Sequence, residues 1–297
     1  MDKNPQNYQK NCTLCPRNCN IDRKTARGVC GAPDEIIISK VMLHKWEEPC
    51  ISGKNGSGAI FFSGCPLKCV YCQNKKISHT CAGNSVSTEE LANIMLDLQA
   101  RGAHNINLVT PTHYIDKIAD ALSSIKGELE IPVVYNTSGY ESVDSLLKIA
   151  DHVSIFLTDI KYFSSESSQK YSRASDYYSV AKEAFGAMLK IAGEPKYDKN
   201  GMMTRGVILR HLVLPSLRRD SIAIFEDIAK DFDISSFVLS LMSQYTPEFC
   251  DGDYPELARR LTTFEYSSVL ARVTELGYTG YMQDFSSSTS AYTPDFN

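Results

Sequence analysis

The stretch GAIFFSGCPLKCVYCQN, residues 58–74, places an apolar run between two glycines directly ahead of three cysteines, Cys65, Cys69 and Cys72. A short apolar run bounded by glycines reads as a buried strand. Three and then two residues separate the cysteines, so all three belong to one loop just after that strand. Thiolates select iron–sulfur clusters, zinc or copper(I). A closed zinc site takes four protein ligands, and thiolates usually hold all four irons of a [4Fe–4S] cluster. Three local thiolates leave one iron open to a ligand that is not protein. A fourth thiolate from Cys50 or Cys81 is the alternative, and spacing does not decide between the two.

Downstream, strand-like and helix-like segments alternate. Ser87 and Glu90 form a capping-box pattern, Leu91, Ile94, Met95 and Leu98 recur at helical spacing, and Gly102 is a stop. Strands are predicted over 105–111, 131–136, 153–161, 206–215 and 237–244, with helices between them and a long helix near 255–276. A polar loop follows the 153–161 strand, DKNG at 198–201 predicts a tight turn in an inserted hairpin, and YTGYMQDF at 278–285 adds a last short strand. Six strands alternating with helices predict a parallel α/β sheet, either open and doubly wound or a full or partial barrel. In each of these, chemistry sits at the carboxyl ends of the strands, where the three cysteines fall. The expected division is a Cys-rich metal-binding extension over 1–50, a barrel over 51–285 and a mobile tail over 286–297. Within the extension, IIIS and KVMLH are predicted as short strands of a small accessory unit.

The 297 residues are 43% hydrophobic and 22% charged with a net charge of −4, a balance that argues against nucleic acid as a partner. The amino-terminal stretch MDKNPQNYQK lacks a signal-peptide core, and no apolar run approaches the ~18 residues that span a bilayer. The expectation is a cytoplasmic protein with no membrane partner. Ten cysteines in a reducing compartment point to metal or redox groups rather than disulfides. Cysteines serving as small buried hydrophobes would be scattered, whereas seven of the ten fall into two groups.

The second group is Cys12, Cys15, Cys19 and Cys30, with Pro16, Gly28 and Gly31 as turn residues of a knuckle. Four thiolates, two of them in C-x2-C spacing, suit a closed site for zinc or a second iron–sulfur cluster. Zinc would make the unit a staple on a segment too short to own a core. A cluster would be able to relay electrons to the first site.

The pattern C-x3-C-x2-C, with aromatic Tyr71 before its third cysteine and a strand ahead of its first, resembles the signature of radical S-adenosylmethionine (SAM) enzymes. The resemblance implies a partial (β/α)6 TIM-like barrel, a [4Fe–4S] cluster on Cys65, Cys69 and Cys72, and SAM chelating the open iron. It implies that the reduced cluster cleaves SAM to methionine and a 5′-deoxyadenosyl radical, which abstracts a hydrogen atom. An electron donor of the flavodoxin or ferredoxin kind follows from that chemistry. Within the superfamily, HKWEEPCISGKNGSGAIFFSGCPLKCVYCQN, NLVTPTHY, NTSGY, DIKYF, RHLVLP and LMSQYTP are similar to the glycyl-radical-enzyme activating enzymes. The likeness is to a pyruvate formate-lyase activating enzyme-like branch and extends to about residue 285.

Activating enzymes carry Gly-Gly-Glu after the second strand to hold the SAM amino group. Here that loop reads Thr110-Pro111-Thr112-His113, so backbone carbonyls or the Thr110 and Thr112 hydroxyls would accept those N–H groups. Asp-Thr-Asn-Gly after the third strand is matched by Asn136-Thr137-Ser138-Gly139, and Asp-x-Lys after the fourth by Asp159 and Lys161. Asn136 thereby removes one carboxylate from the monovalent-cation site that some relatives hold. Arg210 and His211 are strand neighbours and cannot both point inward. A guanidinium suits a carboxylate, so Arg210 is the expected SAM contact. Tyr71, Asn74, Thr137 and Met242 complete that set, while His44, Glu47, His113 and Gln244 are candidate substrate contacts, with Glu48 beside Glu47. The blander reading of Asp159, Lys161 and Arg210 is an ion-pair network capping the barrel.

The expectation is therefore a radical SAM oxidoreductase acting on a protein or peptide, with a glycyl radical enzyme as one candidate. The absent Gly-Gly-Glu and the added N-terminal unit keep a different substrate open. From another class, the alternative is a zinc-ribbon interaction protein on an inert barrel.

Overall fold

The computed structural model describes residues 11–250 and 252–283; the tail expected at 286–297 lies outside the described residues. Its strands are β1 Ile36–His44, β2 Ser57–Phe62, β3 Asn84–Val86, β4 Ile106–Val109, β5 Val133–Thr137, β6 Ile155–Asp159, β7 Lys196–Tyr197, β8 Met203–Leu212, β9 Val238–Met242 and β10 Gly280–Met282. Two short helices, α1 Pro49–Ser52 and α2 Lys75–Ser78, flank the cysteine loop in sequence. The others are α3 Thr88–Ala100, α4 Ile115–Ser124, α5 Val143–Ile149, α6 Ser165–Ser172, α7 Tyr177–Ala192, α8 Arg218–Asp231 and α9 Thr263–Glu275.

One sheet runs in the order β10-β9-β8-β6-β5-β4-β2-β1-β3, with β7 paired to β8 as a side hairpin. Every neighbouring pair from β2 to β10 is parallel. Along that run, chain order and spatial order coincide. A doubly wound sheet reverses its order at a switch point. This sheet never does, so right-handed crossovers put the helices on one side and the strands curl into a partial barrel.

Side-chain alternation sorts each strand into two faces. Ile60, Phe62, Ile106, Leu108, Tyr135, Phe156, Leu209 and Leu241 join the helices in the main core. The intervening residues face the concave side, whose floor is plugged by Cys50 and Ile51 of α1 against Val134, Ile155, Leu157 and Ile208. Ala59, Phe61 and Val109 pack there on Ile77 of α2. The α3 helix shows how local and tertiary signals agree. Glu90 N donates to Ser87 Oγ at 3.1 Å and Ser87 N to Glu90 Oε2 at 2.7 Å, closing the capping box. Its Leu91, Met95 and Leu98 are fully buried, each contributing roughly 2 kcal/mol.

Several expectations are corrected. IIIS and KVMLH form one strand, β1, antiparallel to β2, with a register shift between Ile38 and Lys40. The supposed polar loop after β6 contains α6, started by Ser164, whose side chain accepts from Ser167 N. The last helix begins only at Thr263, where Thr262 and Glu265 form a second capping box; Pro255–Leu257 is a separate 3-10 turn. The hairpin turn at 198–201 stands as read, with Gly201 N donating to Asp198 O at 3.0 Å. No described helix is long and apolar enough to cross a membrane.

Candidate active site

β2 ends at Phe62, and Gly64 turns the chain with φ +89 into the cysteine loop. That conformation favours glycine, and a Cβ there would stand 2.9 Å from the Cys30 carbonyl oxygen. Cys65, Cys69 and Cys72 line a cavity of about 250 Å³ at the carboxyl ends of the strands. Burial, then repulsion from Cys69 and Cys72, pushes the Cys65 thiol up to about 12, and burial with Cys69 also raises Cys72. Thiols so placed ionise when a bound metal supplies the positive charge. Ser172 Oγ donates to Cys69 Sγ at 3.0 Å and Ser78 Oγ to Cys72 Sγ at 3.4 Å. Behind them the Tyr162 hydroxyl lies within hydrogen-bond distance of Tyr71 Oη at 2.7 Å and of Ser172 Oγ at 2.8 Å. Three thiols on one wall, each free of a disulfide, are a donor set that fits a three-thiolate cluster.

The facing wall is ionic. Arg210 Nε donates to Asp159 Oδ1 at 2.8 Å, Nη2 to Asn136 Oδ1 at 2.7 Å and Nη1 to Glu47 Oε2 at 3.2 Å. Lys161 Nζ reaches Asp159 Oδ2 at 2.5 Å. Burial alone would raise Asp159, but Arg210 and then Lys161 outweigh it and hold the carboxyl below its usual range. Glu47 enters from the turn between β1 and α1 and also accepts from Asn107 Nδ2 at 3.1 Å and Asn136 Nδ2 at 3.3 Å. Burial raises its pKa, and Arg210 only partly offsets this. Gly139, with φ +81, lets the Asn136–Gly139 loop lie against β6, since a Cβ would overlap the Asp159 carbonyl oxygen.

His44, Tyr71, Asn74, Thr110, Thr137, Met242 and Gln244 line the same cavity. Thr112 and His113 do not, because the 3-10 turn Thr112–Tyr114 carries them away from it. Thr112 Oγ1 donates to Glu141 Oε1 at 2.6 Å, and buried His113 meets the Ser63 carbonyl at 2.7 Å through Nε2. Glu48 is buried and also outside the cavity lining. His211 points to the helix side, bonding Ile160 O at 2.6 Å and Ser221 Oγ at 2.8 Å, which leaves Arg210 inward as alternation requires. Ser78 and Ser172 were not legible as thiol partners. Ser172 lies 103 residues from Cys69, in a stretch read as loop.

Residues 11–33 fold over the outer side of the cysteine loop; none of them lines the cavity. Cys12 N donates to Ile21 O at 2.8 Å and Asn20 N to Cys12 O at 3.0 Å, closing a small loop around Cys15 and Cys19. Burial, reinforced by Cys30 and Cys12, pushes the Cys15 thiol up, and burial does the same at Cys30, close to Cys12 and Cys19. Gly28 is needed where it stands, because a Cβ would lie 2.8 Å from Cys19 Sγ. Among the described residues no three His, Cys, Asp or Glu side chains form a ready site for a single metal ion; this holds for both cysteine groups. Two arginines dock the unit. Arg17 donates to Pro66 O and Ser172 O at 2.9 Å each, and Arg23 bonds the His113 and Pro33 carbonyls. Cys65 N donates to Cys30 O at 3.2 Å, so the two groups touch through the backbone.

A profile of the Radical SAM superfamily matches residues 59–204, from β2 to the start of β8. The uncharacterised protein MJ0674 of Methanocaldococcus jannaschii is 31% identical over 277 residues, covering 89% of this chain and 75% of that protein. This chain belongs to the radical SAM superfamily. Among solved structures, Streptococcus suis SuiB bound to precursor peptide SuiA is similar with a TM-score of 0.49 and 12% identity. That similarity covers 75% of this chain and 48% of SuiB, so the chain spans about half of SuiB's length. As a radical SAM protein, the molecule is an enzyme of a class that uses a [4Fe–4S] cluster and SAM in oxidoreductase-type chemistry.

Proposed function

We propose that this radical SAM protein cleaves SAM reductively in the cavity and abstracts hydrogen from a protein or peptide, a glycyl radical enzyme being the candidate substrate. The observation that carries the reading is the gathering of Cys65, Cys69 and Cys72 with Asn136, Asp159, Lys161 and Arg210 around one cavity. When bound, the cluster and SAM supply a strongly oxidising carbon radical, the hard chemistry that side chains lack.

The protein's residues bind, orient and shield. Cys65, Cys69 and Cys72 hold three irons. Arg210 uses three of its five N–H groups on Asp159, Asn136 and Glu47 and keeps two for a ligand carboxylate. Asp159, Glu47 and the Thr110 carbonyl are the acceptors for an ammonium group. Buried Tyr71 and Tyr162 close the cysteine loop against water behind the thiols. Met242 and Gln244 at the end of β9 form the rim where adenine or substrate lies. Cys12, Cys15, Cys19 and Cys30 hold the second metal centre, an additional iron–sulfur cluster in preference to zinc, and a flavodoxin or ferredoxin supplies electrons.

A second reading, a substrate other than a glycyl radical enzyme, is favoured by Thr110-Pro111-Thr112-His113 standing where activating enzymes have Gly-Gly-Glu. The test is anaerobic reconstitution, reduction and SAM addition, with release of 5′-deoxyadenosine expected. Colourless protein containing zinc alone, with no cleavage, overturns the catalytic reading. A glycyl radical on a co-incubated partner, seen by electron paramagnetic resonance, separates the two substrate readings.

A further inference from the structure

The cysteine-bearing face carries positive charge in a chain that is acidic overall. Residues 11–33 and 64–81 hold seven Lys or Arg against Asp22 alone, leaving 24 basic and 34 acidic residues in the rest of the chain. Lys24, Arg27 and Lys76 are exposed, as is Arg173, which follows α6. The two segments meet: Lys68 Nζ lies 3.2 Å from where Gly31 would carry a Cβ, and Cys65 N bonds Cys30 O. Lys75, Lys68 and Arg173 all act on His79, and Arg27, Arg23 and Lys68 on Cys81, so the basic side chains form one field. Oxidised clusters on three and four thiolates would carry about −1 and −2, which leaves the face positive.

The same residues have a particular place in the molecule. The cysteine loop is a partition, with the cavity on one side and residues 11–33 on the other. Anything that touches the outer side approaches the thiols without entering the cavity. A positive face meets a negative partner, which speeds and orients encounter.

We infer that residues 11–33 and the adjoining Lys68–His79 segment form the docking face for an acidic, low-potential electron-carrier protein. The electron passes inward by way of Cys30 and Cys65 while the barrel mouth stays open to substrate. One electron leaves the carrier's reduced flavin or iron–sulfur centre and enters the cluster on Cys65, Cys69 and Cys72; no bond is made or broken. This rests on the reading above that those three cysteines hold a redox-active cluster.

The test uses the full-length, anaerobically reconstituted protein and follows bleaching of its cluster by stopped-flow. Reduced flavodoxin is the probe, and photoreduced 5-deazariboflavin is the small uncharged control reductant. Lys24→Glu combined with Arg27→Glu should slow flavodoxin-driven reduction at least tenfold at low salt. Raising salt should bring the wild-type rate towards that of the variant. Deazariboflavin should reduce both proteins equally, which shows the cluster and fold intact. Lys126→Glu, exposed beyond the end of α4 at the opposite end of the strands, should change nothing. Equal flavodoxin rates in wild type and double variant overturn the inference. So does RNA binding lost in the double variant while flavodoxin-driven reduction is unchanged, which makes the face a nucleic-acid surface. If deazariboflavin bleaches no cluster in the wild type, the functional reading fails, and the inference with it.

Discussion

Asp159 and Arg210 are register partners on adjacent parallel strands, and Arg210 Nε donates to Asp159 Oδ1 at 2.8 Å inside the barrel. Both side chains are largely buried, at 13% and 15% exposure, so removing one leaves the other's charge uncompensated. Arg210→Met should cost about 3 kcal/mol in urea unfolding, with part recovered in the double variant Arg210→Met, Asp159→Asn. Asp159 has a depressed folded pKa, so its stabilisation is present above the unfolded value of 3.8 and lost below it. The difference between wild type and Arg210→Met should therefore be full at neutral pH and shrink in acid.

Glu141 makes the opposite prediction. Its carboxylate takes hydrogen bonds from Thr112, Thr137 and Tyr135, and burial dominates, raising its pKa to about 7 from 4.5. A folded state that binds the proton more tightly loses stability as pH rises from 4.5 to 7. Glu141→Gln should flatten that slope and stabilise the protein at pH 8 by roughly 3 kcal/mol at most. Thermal melts at pH 5 and pH 8 check it.

Cys69→Ala removes the most buried of the three cavity thiols. The variant should lose about four irons and four sulfides per chain and all SAM cleavage, while the metal proposed for Cys12, Cys15, Cys19 and Cys30 should be retained. Elemental and sulfide analysis of both proteins decides this. Cleavage that survives the change would show that the cluster is held elsewhere.

Ser172→Ala removes the hydroxyl that donates to Cys69 Sγ at 3.0 Å. A donor on sulfur stabilises the more negative, reduced cluster, so its loss should lower the reduction potential by on the order of tens of millivolts. Redox titration followed by electron paramagnetic resonance measures it. An unchanged potential would confine Ser172 to holding Tyr162.

Much of the barrel was legible because its signals are local. Apolar runs of five or six residues, the Ser87–Glu90 box and the turn at 198–201 each act within a few residues, and each formed where read. Strand alternation put Arg210 and His211 on opposite faces, guanidinium chemistry chose Arg210 as the inward one, and that is where it lies. Misreadings arose where a neighbour distant in the chain decided the outcome. IIIS and KVMLH became one strand because β3 pairs with its first half and β2 with its second. His113 left the cavity because the turn at 112–114 docks it against the Ser63 carbonyl and Arg23.

By itself the sequence determined the chemistry on offer: three thiols after a first parallel strand, four more upstream, and ionic residues at later strand ends. These are properties of residue type and short spacing, which need no partner to exist. Only the tertiary structure decided which of them share a space. Glu47 meets Arg210 across 163 residues, and Ser172 meets Cys69 across 103. The Cys30 carbonyl meets the Cys65 amide to set the upstream cysteines outside the cavity wall. Sheet closure makes those meetings, because curling the strands brings their carboxyl ends together around one cavity whatever their separation in the chain.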